Sequence, residues 1–146
     1  MAIPEKEYDK MAKRASPPSP KAVNAIKAFL IGGGICMLGE GLSVLYTKLG
    51  LDKKDADLLV PVTLIALTAV LTAFGVFDSI AKHAGAGTIV PITGFANSIV
   101  SPALEFSSEG RILGTGAEMF RIAGPVLVYG SAAAVIYGFV YWILRM

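Results

Sequence analysis

The sequence predicts an all-α integral membrane protein of about four transmembrane segments, the third and fourth broken by Gly and Pro, behind a short basic N-terminal tail. Three observations carry that prediction. The 146 residues are 54% hydrophobic and only 16% charged, with a mean hydropathy of +0.64, whereas soluble domains run to about 45–50% apolar and about 25% charged. Sixteen glycines, many of them inside apolar stretches, disfavour a water-soluble bundle. Finally, apolar runs of the roughly 20 residues that cross a hydrocarbon core recur along the chain.

Composition excludes several function classes. A net charge of +2 from thirteen basic and eleven acidic side chains provides no basic field for nucleic acid. One cysteine, Cys36, permits no internal disulfide, and with His83 as the single histidine neither a zinc site nor a His relay is expected. No cofactor and no enzymatic activity are expected: no Ser or Cys nucleophile accompanies His83, and the AGAG and GGG runs lack the GK[ST] of a phosphate loop.

Residues 1–21 read as a polar tail, with Lys6, Lys10, Lys13, Arg14 and Lys21 against Glu5, Glu7 and Asp9, and Pro17, Pro18 and Pro20 near its end. Such a segment is a flexible or surface-lying arm, with an amphipathic helix over Glu5–Ala15 as the alternative. Residues 22–146 form the helical transmembrane domain. The first apolar run is too long for a signal-peptide core and is read as an uncleaved anchor.

The first span covers about Ala22–Thr47. Ala25, Ala28, Gly32, Cys36, Gly39, Ser43 and Thr47 recur three or four apart, so small residues line one stripe, and in lipid such stripes let a second helix come close. Glu40 shares that face. After a charge-balanced linker, Lys48–Asp57, the second span runs over about Leu58–Phe77, with Pro61 in its first turn, where a missing amide costs little. Asp78, Lys82 and His83 mark a return to the interface.

Residues 84–104 are apolar enough for membrane depth yet contain Gly85, Gly87, Pro91, Gly94 and Pro102. Gly costs about 1 kcal/mol and Pro about 3 kcal/mol relative to Ala in a helix. Irregular backbone at that depth survives only inside protein or against a wet cavity. Ser107–Gly110 is a polar turn, and Arg111–Ala123 a short helix carrying Glu118 and Arg121 on one face. Gly124-Pro125 marks a break or kink before a last span, Val126–Leu144, whose Gly130, Ala134 and Gly138 form a second close-packing stripe and whose Tyr137, Tyr141 and Trp142 suit an interface. The cluster of Lys and Arg in the tail places the N-terminus in the cytoplasm, and four crossings return Arg145 to that side. A re-entrant course for residues 84–123 is the alternative.

The candidate pore or ligand-path residues are Glu40, Gly85, Gly87, Pro91, Thr93, Gly94, Asn97, Ser98, Glu118 and Arg121. A carboxylate at the depth of Glu40 is costly and faces a cavity or bundle interior; it lines a pore, or donates an interhelical hydrogen bond as the protonated acid. The broken segment, with Thr93, Asn97 and Ser98, offers free amides and a half-helix N-terminus to an anion, or it packs tightly, its glycines admitting neighbouring helices. Glu118 and Arg121 read first as a charge-cancelling intramembrane pair, with Arg121 alternatively meeting an anionic ligand. Gly32, Cys36, Gly39, Gly130, Ala134 and Gly138 are the candidate packing residues.

The run AGAGTIVPITGFANS at 84–98, supported by AFLIGGGIC at 28–36, GVFD at 75–78, SPALEFSSEG at 101–110 and GTGAEMF at 114–120, resembles the sporulation membrane protein family that contains stage V sporulation proteins AC and AEb. The resemblance covers Lys27 to the C-terminus, and the basic, proline-containing tail is more similar to the AC branch. It implies an integral protein of the spore inner membrane. It also implies membership of a hetero-oligomer with the AD and AEb proteins that moves dipicolinic acid with calcium, inward in sporulation and outward in germination, possessing in the AC branch a mechanosensitive channel activity. The two carboxylates of dipicolinate suit the anion reading of residues 84–98, but the resemblance assigns no ligand residues. A proton-coupled transporter subunit with Glu40 as carrier, and a non-conducting structural subunit, are the alternatives. The expected partners are therefore membrane lipid, those sister subunits and the transported ligand, with no nucleic acid.

Overall fold

Helix formation follows the apolar runs, and the glycines and prolines between them set where the chain turns. The computed structural model describes residues 4–15 and 20–146. Its elements are α1 (Glu5–Ala15), α2 (Lys21–Lys48), α3 (Lys53–Ala73), α4 (Val76–Ala84), α5 (Ala86–Ile89), α6 (Ile92–Glu105), a 3-10 turn (Ser107–Glu109), a π-helical turn (Arg111–Gly116) and α7 (Ala117–Arg145). Among the described residues no strand occurs. The tail is helical over Glu5–Ala15, while Pro17 and Pro18 lie outside the described residues.

Three stretches are long and apolar enough to cross a membrane: Lys21–Lys48, Lys53–Ala73 and Arg111–Arg145. The expected third span is not a single helix. The 14 residues of α6 rise about 21 Å at about 1.5 Å each, short of a hydrocarbon core of about 30 Å.

The α2–α3 hairpin is closed by local backbone chemistry. Gly50, at φ 96°, donates its N–H to Thr47 and Leu51 donates to Tyr46, the paired bonds that satisfy the last carbonyls of a helix when a glycine follows its cap. Side chains then zip the two helices: Ser43 Oγ donates to Asp57 at 3.1 Å, and the Tyr46 and Thr63 hydroxyls lie 2.6 Å apart. A Cβ on Gly39 would come into van der Waals contact with Val60 and Leu64.

Two sequence expectations are corrected here. Asp52 precedes a helix that starts at Lys53, so the charged linker supplies the first turn of α3 and Pro61 lies within the helix rather than in its first turn. Its missing amide leaves the Asp57 carbonyl, one turn earlier and close to the helix start, without a helical donor. Nor does Gly124-Pro125 break the last segment: α7 runs through Pro125 to Arg145, at the cost of the amide that the Arg121 carbonyl would have bonded. Membrane helices tolerate such a proline because neighbours re-satisfy the freed group. The irregularity lies earlier, where Thr115 N–H reaches back five residues to Gly110, opening the first turn of this rod into a π-helix.

Between α3 and α7 the chain doubles back. Gly75, at φ 70°, ends α3, and α4 lies across the corner with Phe77 and Ala84 buried and Asp78, Lys82 and His83 exposed. The backbone turns at Gly85 (φ 51°, ψ −123°) and again at Pro91 (φ −66°, ψ 164°). Gly87, Gly94 and Pro102, read as further breakers, sit within α5 and α6. Helix α6 packs on α3 and on the start of α7. The core is built mostly from small side chains (Ala56, Thr68, Ala84, Thr88, Thr93, Ala96 and Ala123) around Leu64 and Phe77. From Pro125 to Arg145 every residue of the last helix is exposed, so a largely apolar rod projects with no cover from the other described residues.

Candidate functional site

Gly87 and Gly94 of the 84–98 run work by proximity. A Cβ on Gly87 would overlap the carbonyl oxygen of Ala28, with Ala28 Cα at 2.9 Å, and one on Gly32 would meet the Gly87 oxygen at 3.2 Å. Helix α5 is therefore pressed backbone to backbone against α2, the close approach that small residues permit in lipid. Gly94 does the same at the next corner: its Cβ would strike the carbonyls of Thr88 and Ile89. The α2 stripe is thus shared, with Ala28 and Gly32 facing α5, Gly39 facing α3, and Cys36 left exposed.

Polar side chains of the run are turned largely onto the chain itself. Thr88 Oγ1 donates to Gly85 at 3.2 Å and Ser98 Oγ to Phe95 at 2.7 Å, while Asn97 Oδ1 accepts a 2.9 Å bond from Thr72 Oγ1 of α3. Thr93 differs: its hydroxyl oxygen is buried without a partner. It borders an apolar cavity of about 130 Å³ between α2, α3, α4 and α6, walled also by Ile35, Leu64, Phe77 and Thr88.

Glu40 is exposed and lies beside Ser43, Thr47, Lys48 and Lys53 around an open cleft of about 380 Å³. Eight residues separate Glu40 from Gly32, about 12 Å along α2, so Glu40 and the α5 corner occupy different ends of that helix. Arg121 Nη1 donates to Glu118 Oε2 at 3.2 Å, with the arginine side chain 72% exposed and the glutamate 26%. The sequence-derived set therefore divides into three places: the α5–α6 corner (Gly85, Gly87, Pro91, Thr93, Gly94, Asn97, Ser98), the Glu40 cleft, and the Glu118–Arg121 pair on α7. Gly130 and Gly138 have open space around them, and Ala134 between them is exposed, so no part of the described chain covers that stripe.

One cluster escaped the sequence reading as a group. Lys21 and Asn24 at the start of α2 and Lys82 and His83 at the end of α4 line one cleft of about 460 Å³ beneath Gly85. Lys82 Nζ pairs with Asp78 at 2.8 Å; that hydrogen bond, and then the carboxylate's charge, push the lysine pKa above its ordinary value. His83 Nδ1 is 2.9 Å from the Ser79 carbonyl, which leaves Nε2 as the free ring nitrogen. Lys82 and His83 read individually as interfacial anchors; only the α4 corner brings them to Lys21, and no local signal in the sequence encodes that distance.

No solved structure matches the chain. It is 44% identical over 137 residues to stage V sporulation protein AC of Bacillus subtilis (strain 168), an alignment covering 93% of this chain and 91% of that protein. The profile of the family described as SpoVAC/SpoVAEB sporulation membrane protein matches residues 24–140, taking in α3–α6 entirely and most of α2 and α7. With four-fifths of its length so matched, the chain belongs to the SpoVAC/SpoVAEB family of sporulation membrane proteins.

Proposed function

We propose that the chain is one subunit of an oligomeric channel in the spore inner membrane, passing dipicolinate with its calcium inward during sporulation and outward during germination. Family membership carries the reading. The exposed, largely apolar surface of residues 125–146 supports a place in the membrane, because such a helix belongs in lipid or among other helices. Sister subunits of the AD and AEb type are the partners in this reading. Residues 86–105 act as a broken third crossing of four, with both chain ends in the cytoplasm. Glu40, Arg121 and the α5–α6 corner contribute to the ligand path, and membrane tension acts on the Gly32–Gly87 contact, whose backbones have no side chains to interlock them.

The test is conductance. The full chain, alone and co-purified with its sister subunits, is placed in planar bilayers with calcium dipicolinate as the permeant salt, and tension is applied. Dipicolinate current that rises with tension is the expected result; intact, correctly assembled complexes that pass none would sink the proposal.

A second reading, a structural subunit that scaffolds a pore made by its relatives, is favoured by one observation: the Thr88 and Ser98 hydroxyls and the Asn97 carbonyl oxygen are engaged by the chain itself. Ion selectivity of assembled complexes unchanged by Glu40→Gln, Asn97→Ala and Arg121→Gln, tested separately, would select it.

A further inference from the structure

We propose that the seam between α2 and the α4–α5 corner is a binding site for one anionic glycerophospholipid. Two recesses of opposite character lie end to end along it. The first is the cleft of about 460 Å³ whose polar lining is Lys21, Asn24, Lys82 and His83. The second is a groove of about 330 Å³ with an almost wholly apolar wall that includes Phe29, Gly33, Cys36 and Val90. Ala28 and Ala86 line both, so the cationic cleft opens directly into the apolar groove.

That order matches an amphiphile. From Lys21 to Cys36 is about 22 Å along the helix, from headgroup level to deep within a leaflet whose hydrocarbon half is about 15 Å thick. Two ammonium groups and the Asn24 amide meet a phosphodiester, to which lysines beside an anionic membrane surface are attracted by about 1 kcal/mol each. Asp78 occupies one donor position of Lys82, leaving two of its three N–H groups for the ligand. The groove then takes hydrocarbon: Gly32 and Gly87 bring the two backbones together at its floor, and Phe29 and Val90 stand exposed along it. A free phosphate would satisfy the cleft and leave the groove without a role; a zwitterionic lipid would satisfy the groove and bring a cationic headgroup to two lysines. Anionic phospholipid satisfies both recesses.

Native mass spectrometry of the full chain in mild detergent tests this, with phosphatidylglycerol, phosphatidylcholine and inorganic phosphate as the probes. The expected result is one phosphatidylglycerol held in preference to phosphatidylcholine and not displaced by inorganic phosphate. Lys21→Gln and Lys82→Gln each lower phosphatidylglycerol retention about fivefold and leave phosphatidylcholine unchanged, while Lys82→Arg retains binding. Gly33 has nothing within 4 Å of a Cβ position, so Gly33→Leu fills the groove without moving backbone and lowers retention with every cleft charge intact. Should that variant lose helicity by circular dichroism, Val90→Trp, at a residue 84% exposed, blocks the groove from its other wall. Equal retention of the two lipids, wild-type binding by the lysine variants or by a folded groove variant, or displacement of the lipid by inorganic phosphate overturns the proposal.

Discussion

Gly87 of α5 lies so close to Ala28 of α2 that a single added methyl group would overlap the Ala28 carbonyl oxygen. Relief requires the four-residue helix α5 to move away from α2, and with it the turns at Gly85 and Pro91 that aim α6. Over-packing of this kind costs about 1–3 kcal/mol. Gly87→Ala is therefore expected to lower the thermal midpoint of the detergent-solubilised chain, whereas Gly33→Ala, with open space at its Cβ, stays within about 0.5 kcal/mol of wild type. Equal effects of the two substitutions would show that the close approach does not exist in solution.

That contact also marks where the sequence was legible and where it was not. The small-residue stripe of α2 is visible as periodicity, and the turns at Gly85 and Pro91 as the chemistry of residues that leave a helix cheaply. The Glu118–Arg121 pair follows from helical spacing alone. The partner of each stripe position does not follow, because Ala28, Gly32 and Gly39 look alike in one dimension and are divided between α5 and α3 only in three. Pro125 misleads for a related reason: a proline marks a lost hydrogen bond, yet in an apolar rod the bonds on either side have no water to compete with them, so the helix continues. Lys53–Asp57 misleads in the opposite direction, since charge signals the membrane boundary rather than the helix boundary.

The Thr72–Asn97 bond is the side-chain hydrogen bond that ties α3 to α6 among the described residues. Interhelical hydrogen bonds in membrane proteins average about 0.6 kcal/mol, reaching about 1.7 kcal/mol. A double-mutant cycle of Thr72→Val and Asn97→Ala, read by reversible unfolding in micelles, is expected to give a coupling in that range. A coupling indistinguishable from zero, with both single variants folded, would mean that the two side chains act independently.

On the proposed assembly, Arg121 distinguishes the isolated subunit from the assembled one. In the single chain its side chain is 72% exposed, and an exposed ion pair is worth about 0–1 kcal/mol. Arg121→Gln is expected to be nearly neutral for the isolated chain in detergent. If sister helices cover this face of α7, the same substitution leaves Glu118 as an uncompensated buried charge in the complex, where losing one partner typically costs about 3–5 kcal/mol. Subunit dissociation measured against detergent concentration reads the difference; equal effects in both states would place this face toward lipid or solvent in the complex.

On the proposed four-crossing course, the continuity of α7 bears on how the ends of the chain are disposed. Arg111–Arg145 is one helical rod of 35 residues, about 52 Å long. If residues 84–123 formed a re-entrant loop with the Ser107–Glu109 turn at mid-bilayer, the rod would reach the surface within about ten residues, after about 15 Å. Val126–Leu144, including Val128, Ile136, Phe139 and Leu144, would then stand in water, each of these side chains forfeiting about 1.5–3 kcal/mol of burial. With the turn at the far surface, the same rod crosses the hydrocarbon and returns Arg145 to the side of Lys21 and Lys82. Single cysteines at Ser79, Ser108 and Arg145 in a Cys36→Ala background, probed with a membrane-impermeant thiol reagent on sealed vesicles, read the disposition. Ser79→Cys and Arg145→Cys are expected to react from one side and Ser108→Cys from the other; reaction of Ser108→Cys from the Ser79 side, with Arg145→Cys opposite, would leave the chain with three crossings, those of α2, α3 and residues 111–145.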